Sequence, residues 1–228
     1  MSLMRQSSMA IRLAVLAAVA VVIVLLVVLL AGGGSDKSAD NGKPAASKSA
    51  LRGVPQSGIS LGAADAPVTM VEFADLQCPF CAEYHRNVFP TLLKSYVRTG
   101  KVRLELRLLR FLGPDSDRLA RVAAAASKQD RMWQFVGLAY DRQGAENSGY
   151  ATDDFINSLA ADAGVPKADA GAAAERLIRE GEQAARAAKV QSTPSFLIGP
   201  TGGALHHFQP SDLQPDAFIP EIEKELRQ

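Results

Sequence analysis

The run Val68–Ala74, Val-Thr-Met-Val-Glu-Phe-Ala, leads within a few residues to Cys78-Pro79-Phe80-Cys81. A nearly continuous apolar run with β-branched members suits a central strand covered on both faces. Pro79 suits the first turn of a helix, where its missing N–H has no partner to lose. The stretch therefore predicts a buried strand, a short loop, and a helix that opens at the cysteine pair. These are the only two cysteines among 228 residues. They are too few for a disulfide scaffold, and a core of this size does not need one.

A thiol is a nucleophile only as its thiolate. At the start of a helix, free backbone N–H groups and the positive end of the dipole favour that form. Cys78 stands there, and Cys81 follows within the first turn, so the two sulfurs can close a small disulfide. Cys78 is expected to be the exposed, attacking sulfur and Cys81 the buried, resolving one. A structural disulfide across so short a loop would stabilise little. A zinc site would need two more ligands. His206 and His207 are adjacent on a predicted strand, so they point to opposite faces. A redox pair outweighs both readings, and no metal is expected.

The N-terminal part predicts an anchor. Leu13–Ala31 is an uncharged run of 19 residues, a rise of about 28 Å as a helix and close to a bilayer core. A signal peptide that is later cleaved competes with this, but its apolar region is usually shorter, about 7–15 residues. Arg5 and Arg12 precede the run, which keeps residues 1–12 cytoplasmic and the rest outside. Residues 32–57 are rich in Gly, Ser, Ala, Lys and Asp and predict a flexible tether. Formal net charge is +1, with no clustered basic stripe, so no nucleic-acid partner is expected.

The folded domain is expected from Gly58 to the C-terminus, opening with an edge strand over Gly58–Ala63. The helix from Cys78 should run to about Thr99 with a kink at Pro90. Lys101–Phe111 alternates, with Val102, Leu104, Leu106 and Leu108 on one face, which predicts a strand and a parallel crossover unit. Gly113–Ser116 should cap a helix. Four helices follow: Asp117–Ser127, Arg131–Gln143, Asp153–Ala163 and Lys167–Ala188. Trp133 and Phe135 read as core residues of this block. Ser195–Ile198 and Ala204–Gln209 predict a hairpin, and Asp216–Arg227 a closing helix.

The chain resembles thioredoxin-fold thiol–disulfide oxidoreductases of the DsbA-like class. Four stretches carry the match: Phe73-Ala-Asp-Leu-Gln-Cys-Pro-Phe-Cys81, Leu112-Gly-Pro-Asp-Ser116, Gln143-Gly-Ala-Glu-Asn-Ser-Gly149 and Ser192-Thr-Pro-Ser-Phe-Leu-Ile198. The resemblance implies an α/β thioredoxin-like fold with a helical insert over about 115–189. It implies that Pro194 is cis and faces the cysteines, with Thr193 pairing a substrate backbone. The position of Glu72 in the strand matches an acid beneath the cysteines, where a desolvated carboxylate can exchange a proton with Cys81. Pro79 and Phe80 tune the motif. The strongest oxidants of the class carry His where this chain has Phe80, so a milder oxidant is expected. His85 lies one turn beyond Cys81 and reads first as a packing or surface residue.

The expected function is a dithiol oxidase outside the cytoplasm that needs no cofactor beyond the Cys78–Cys81 disulfide. Its expected partners are exported proteins bearing thiols and, by the resemblance, a membrane-bound, quinone-linked reoxidising protein. A monomer is expected. Alternatives are a reductase or isomerase on the same fold, or a Cu(I)-binding or redox-sensing module without turnover.

Overall fold

The computed structural model describes residues 50–165 and 171–228. The expected anchor Leu13–Ala31 lies outside these residues. Among the described residues, no helix is long and apolar enough to cross a membrane.

The sheet has six strands in the order β1-β2-β4-β3-β5-β6. Its centre is β3, Val68–Ala74, with all seven residues buried. It pairs in parallel with β4, Val102–Leu108, and antiparallel with β5, Ser195–Pro200. Covered on both faces and flanked on both edges, β3 is the rigid base of the loop that follows it. The alternation in β4 is realised: Val102, Leu104, Leu106 and Leu108 are buried while Arg103, Glu105 and Arg107 are partly exposed. Glu105 meets Arg103 at 2.9 Å and Arg107 at 3.0 Å, so this polar face pairs its own charges.

The expected edge strand is a small hairpin, β1 Gln56–Ser57 and β2 Ser60–Leu61. Leu51 and Val54 are buried in the main core. The tether expected through Ser57 therefore stops before Leu51, because two apolar side chains spaced along it find the core. The helix expected from Cys78 to Thr99 is interrupted. Helix α1 spans Pro79–Asn87, α2 spans Phe89–Leu92, and a π-helical turn covers Leu93–Val97. Pro90 sits in the first turn of α2, where it has no N–H to continue the ladder of α1.

The insert comprises α3 Pro114–Ser127, α4 Met132–Asp141, α5 Asp153–Ala163 and α6 Ala172–Ala187. Residues 166–170, within the expected fourth helix, lie outside the described residues. Trp133 and Phe135 are buried as expected, and Trp133 stacks on Phe89 with ring centres 5.7 Å apart. The expected cap is corrected. Gly113 is the N-cap residue and offers no side-chain bond, while Asp115 and Ser116 lie inside the first turn. The hairpin closes with β6, His206–Phe208, and α7, Pro215–Glu225, packs Phe218 and Ile222 into the core.

Helix α6 approaches β4 closely at Gly181, where an added Cβ would stand 3.0 Å from the Leu108 carbonyl oxygen. Gly181→Leu is expected to destabilise the fold by about 1–3 kcal/mol through overpacking. The check is a lower urea midpoint at unchanged slope; an unchanged midpoint would show that α6 yields there at no cost.

Candidate active site

The loop between β3 and α1 is tied down by one buried carboxylate. Asp75 Oδ1 accepts from the Gln77 backbone N–H at 2.8 Å and the Ser116 hydroxyl at 2.6 Å. Its Oδ2 accepts from the N–H groups of Phe111 at 2.7 Å and Leu112 at 3.1 Å. A charge without water needs such donors, and bonds to an ionised acceptor are the stronger kind. Gln77 extends the network. Its Nε2 donates to Ser116 Oγ at 3.0 Å, and its Oε1 accepts from the Asn147 N–H at 2.7 Å. Gln143 Nε2 donates to the carbonyls of Leu76 at 3.0 Å and Cys78 at 3.2 Å. Gly149 N–H donates to Asp115 Oδ2 at 2.9 Å. Three chain segments thus clamp the residues just before the nucleophile. Gly113 is required where they cross: its φ is 122°, and an added Cβ would lie 2.5 Å from Asn147 Oδ1.

Sequence reasoning missed these roles. The residues sit inside three of the stretches that carry the resemblance, but their side chains meet only in three dimensions. Ser116 and Asp115 look like helix caps in sequence because such residues usually are. Here they face a carboxylate and a loop instead.

The expected site residues converge. Cys78 is the N-cap residue of α1, with Pro79 at the first helical position. Its sulfur lies 3.3 Å from the Thr193 carbonyl oxygen, and Thr193-Pro194 is a cis peptide. The expectation of an exposed Cys78 is corrected: the residue is only 4% exposed. The Thr193 loop and the start of α1 cover most of the sulfur, and an open groove of about 590 Å³ gives access to it. Phe80 and Phe111 on that groove are 59% and 51% exposed. Both thiols are free.

The two cysteines have opposite electrostatics. The Cys78 thiol is pulled from the ordinary 9.0 down to about 6, first by a hydrogen bond from the Cys81 thiol. Desolvation opposes this, while Thr193 and the backbone N–H groups of Cys81 and Phe80 add to it. Cys81 is fully buried. Burial pushes its thiol well up, and the negative charges of Cys78 and Glu72 push it further. Cys78 is therefore a thiolate near neutral pH beside a partner that keeps its proton.

Glu72 lies in β3, 2% exposed, between Leu106 of β4 and Phe196 of β5. His85 on α1 stands against it, at 3.4 Å between Glu72 Oε2 and His85 Nε2. His85 is buried, which excludes the surface alternative, and it packs between Phe89 and Tyr140. His206 and His207 do diverge: His206 Nε2 meets Glu221 at 3.0 Å, and His207 meets the Ala188 carbonyl. With Glu225, His206 and Glu221 form a cluster of possible metal-ligand atoms that sequence spacing did not suggest. Lys224 already bonds Glu221 at 2.8 Å, and Gln228 bonds Glu225 at 2.8 Å.

The thioredoxin family's sequence model matches residues 55–208. A Bacillus cereus protein described as a probable disulfide bond formation protein D is 33% identical over 149 residues, covering 61% of this chain and 68% of its own. The crystal structure of oxidised BdbD from Bacillus subtilis superposes with a TM-score of 0.62 at 23% identity, over 77% of this chain and 98% of that one. Wolbachia pipientis alpha-DsbA1 gives 0.60 at 20% identity, over 74% of this chain and 90% of that one. The two structural likenesses carry the fold, with its helical insert.

The electrostatics predict a spectroscopic titration. The thiolate absorbance of the reduced chain should rise with a midpoint of about 6. Since folding lowers this value from 9.0, ionised Cys78 stabilises the reduced fold fully above about pH 9. That contribution is lost as pH falls through about 6. Cys81→Ala removes the largest cause and should raise the midpoint by about 1–2 units. An unmoved midpoint would show that the backbone N–H groups suffice.

Proposed function

The chain belongs to the thioredoxin family, and from that footing we propose how Cys78 and Cys81 work as a dithiol oxidase on exported proteins. That it is an extracytoplasmic thiol–disulfide oxidoreductase follows from its relatives among the disulfide bond formation proteins. The observation that carries the mechanism is the contrast between the two thiols, one at about 6 and one held far above its ordinary value.

In the oxidised chain a substrate thiolate attacks Cys78 Sγ. A bond from substrate sulfur to Cys78 forms, the Cys78–Cys81 bond breaks, and Cys81 leaves with the electron pair and takes up a proton. A second substrate thiolate then attacks the substrate's own sulfur. The substrate disulfide forms, and Cys78 leaves as a stable thiolate. Two electrons pass to the enzyme, which ends reduced. A low pKa speeds departure of Cys78 and stabilises the reduced form, which makes the disulfide oxidising. Thr193 and the cis Pro194, beside the sulfur, present backbone to an extended substrate. Glu72 serves as the proton group beneath Cys81. Pro79 sets the helix start, and Phe80 leaves the thiolate without a side-chain donor between the cysteines.

At about 6, Cys78 lies between about 7 in thioredoxin and about 3.5 in the strongest oxidants. This supports a mild oxidant. Reoxidation falls to a membrane-bound, quinone-linked partner, and Leu13–Ala31 would hold the domain near it as a single-pass anchor with the N-terminus cytoplasmic. The domain acts as a monomer.

Cys78→Ser is expected to abolish oxidation of a reduced, unfolded protein under a free-thiol assay; retained activity overturns the mechanism. Phe80→His supplies a donor to the thiolate and should make the disulfide more oxidising by roughly 30 mV, a tenfold change in equilibrium. Equilibration against glutathione reads this directly, and no change would remove Phe80 as a tuning residue.

A further inference from the structure

Glu72 and His85 form a buried pair that neither core packing nor the cysteines alone explain. Their side chains are each 3% exposed and stand 3.4 Å apart. Among the described residues, neither carboxylate oxygen of Glu72 and neither ring nitrogen of His85 has a hydrogen-bond partner. A lone buried carboxylate is costly unless paired or protonated, and His85 is the group that stands against it.

The surroundings isolate this pair. On β3 and its neighbours, Glu72 is flanked by Leu106 and Phe196. From α1, Cys81 and Tyr84 face the carboxylate electrostatically. From α4, Tyr140 packs on the His85 ring at 4.6 Å, and the exposed Asp141 senses both His85 and Arg86. From α2, Phe89 stacks on His85 at 5.0 Å. Burial pushes both tyrosines well up, so they stay neutral. Among these groups, His85 is the buried one that can bring positive charge to Glu72.

We propose that His85 is a positioning residue for proton transfer to Cys81, holding the Glu72 carboxylate beneath that sulfur and sharing the proton it delivers. This rests on the oxidase reading. When the Cys78–Cys81 bond breaks, Cys81 leaves with the electron pair and a net negative charge enters the core. The Glu72–His85 pair gives its one proton to Cys81. The sulfur becomes a neutral thiol, and the negative charge settles on a carboxylate beside a neutral imidazole. Solvent restores the proton later, so protons and electrons balance. The device lies below the sulfurs, in a chain whose Phe80 side chain provides no donor between them.

The test is stopped-flow reduction of the oxidised chain by dithiothreitol across pH 5–9, with His85→Gln, His85→Phe, Glu72→Gln and the double variant Glu72→Gln/His85→Gln. His85→Phe keeps an aromatic ring between Phe89 and Tyr140 and so guards against a packing defect. Both His85 variants should slow reduction near neutral pH by roughly tenfold and lose one ionisation from the profile. The double variant should be no slower than the slower single, as for groups acting as a unit. A wild-type profile in His85→Phe, or losses that multiply in the double variant, overturns the inference. If Cys78→Ser still oxidises thiols, the oxidase mechanism itself fails. If that variant is inert while His85→Phe behaves as wild type, only the role of His85 fails.

Discussion

The bonding of the Asp75 carboxylate is the interaction on which the rest of the site depends. It fixes a turn at the end of the most buried strand, and it does so with donors from a loop 36 and 37 residues away and a helix 41 residues away. An ionised group in the core tolerates few geometries, because any missing donor leaves charge unpaired. The carboxylate therefore converts several flexible connections into one rigid assembly. Cys78 inherits its position from that assembly, since its N–H bonds the Asp75 carbonyl at 3.0 Å. Gln77 and Gln143 carry the same restraint into the insert.

Two chemically identical side chains three residues apart are made opposite by their places in one helical turn. Cys78 stands where α1 begins, with free N–H groups, and sits on an accessible groove. Cys81 is one turn inside, in the core, above an acid. The hydrogen bond between the thiols then amplifies the difference, lowering one and raising the other. A directional exchange needs this inequality, because a low-pKa sulfur leaves more readily than its partner.

Much of this was legible in sequence. The apolar run Val68–Ala74, the alternation of Val102–Leu108 and the proline after Cys78 are local signals, and the structure keeps them. The failures share a cause. Leu51 and Val54 sit in a polar stretch, and only the surface they meet makes them core. Ser116 has the sequence grammar of a helix cap but answers to a carboxylate on the loop after β3. His85 shares a face with Cys81 by spacing, yet the spacing says nothing of Glu72 across the interface. Phe80 and Cys78 lie two residues apart, and one is exposed while the other is covered by a loop 115 residues distant. Local periodicity reports which face turns inward; it does not report what waits there.

The span of the clamp also has a meaning in time. A chain emerging from its N-terminus presents Cys78 long before residues 111–149 and Thr193 exist to surround it. Until they arrive, the loop lacks its tether and the sulfur lacks the Thr193 contact. The finished site is a late property of the polypeptide, completed when its last third brings Thr193 against the sulfur.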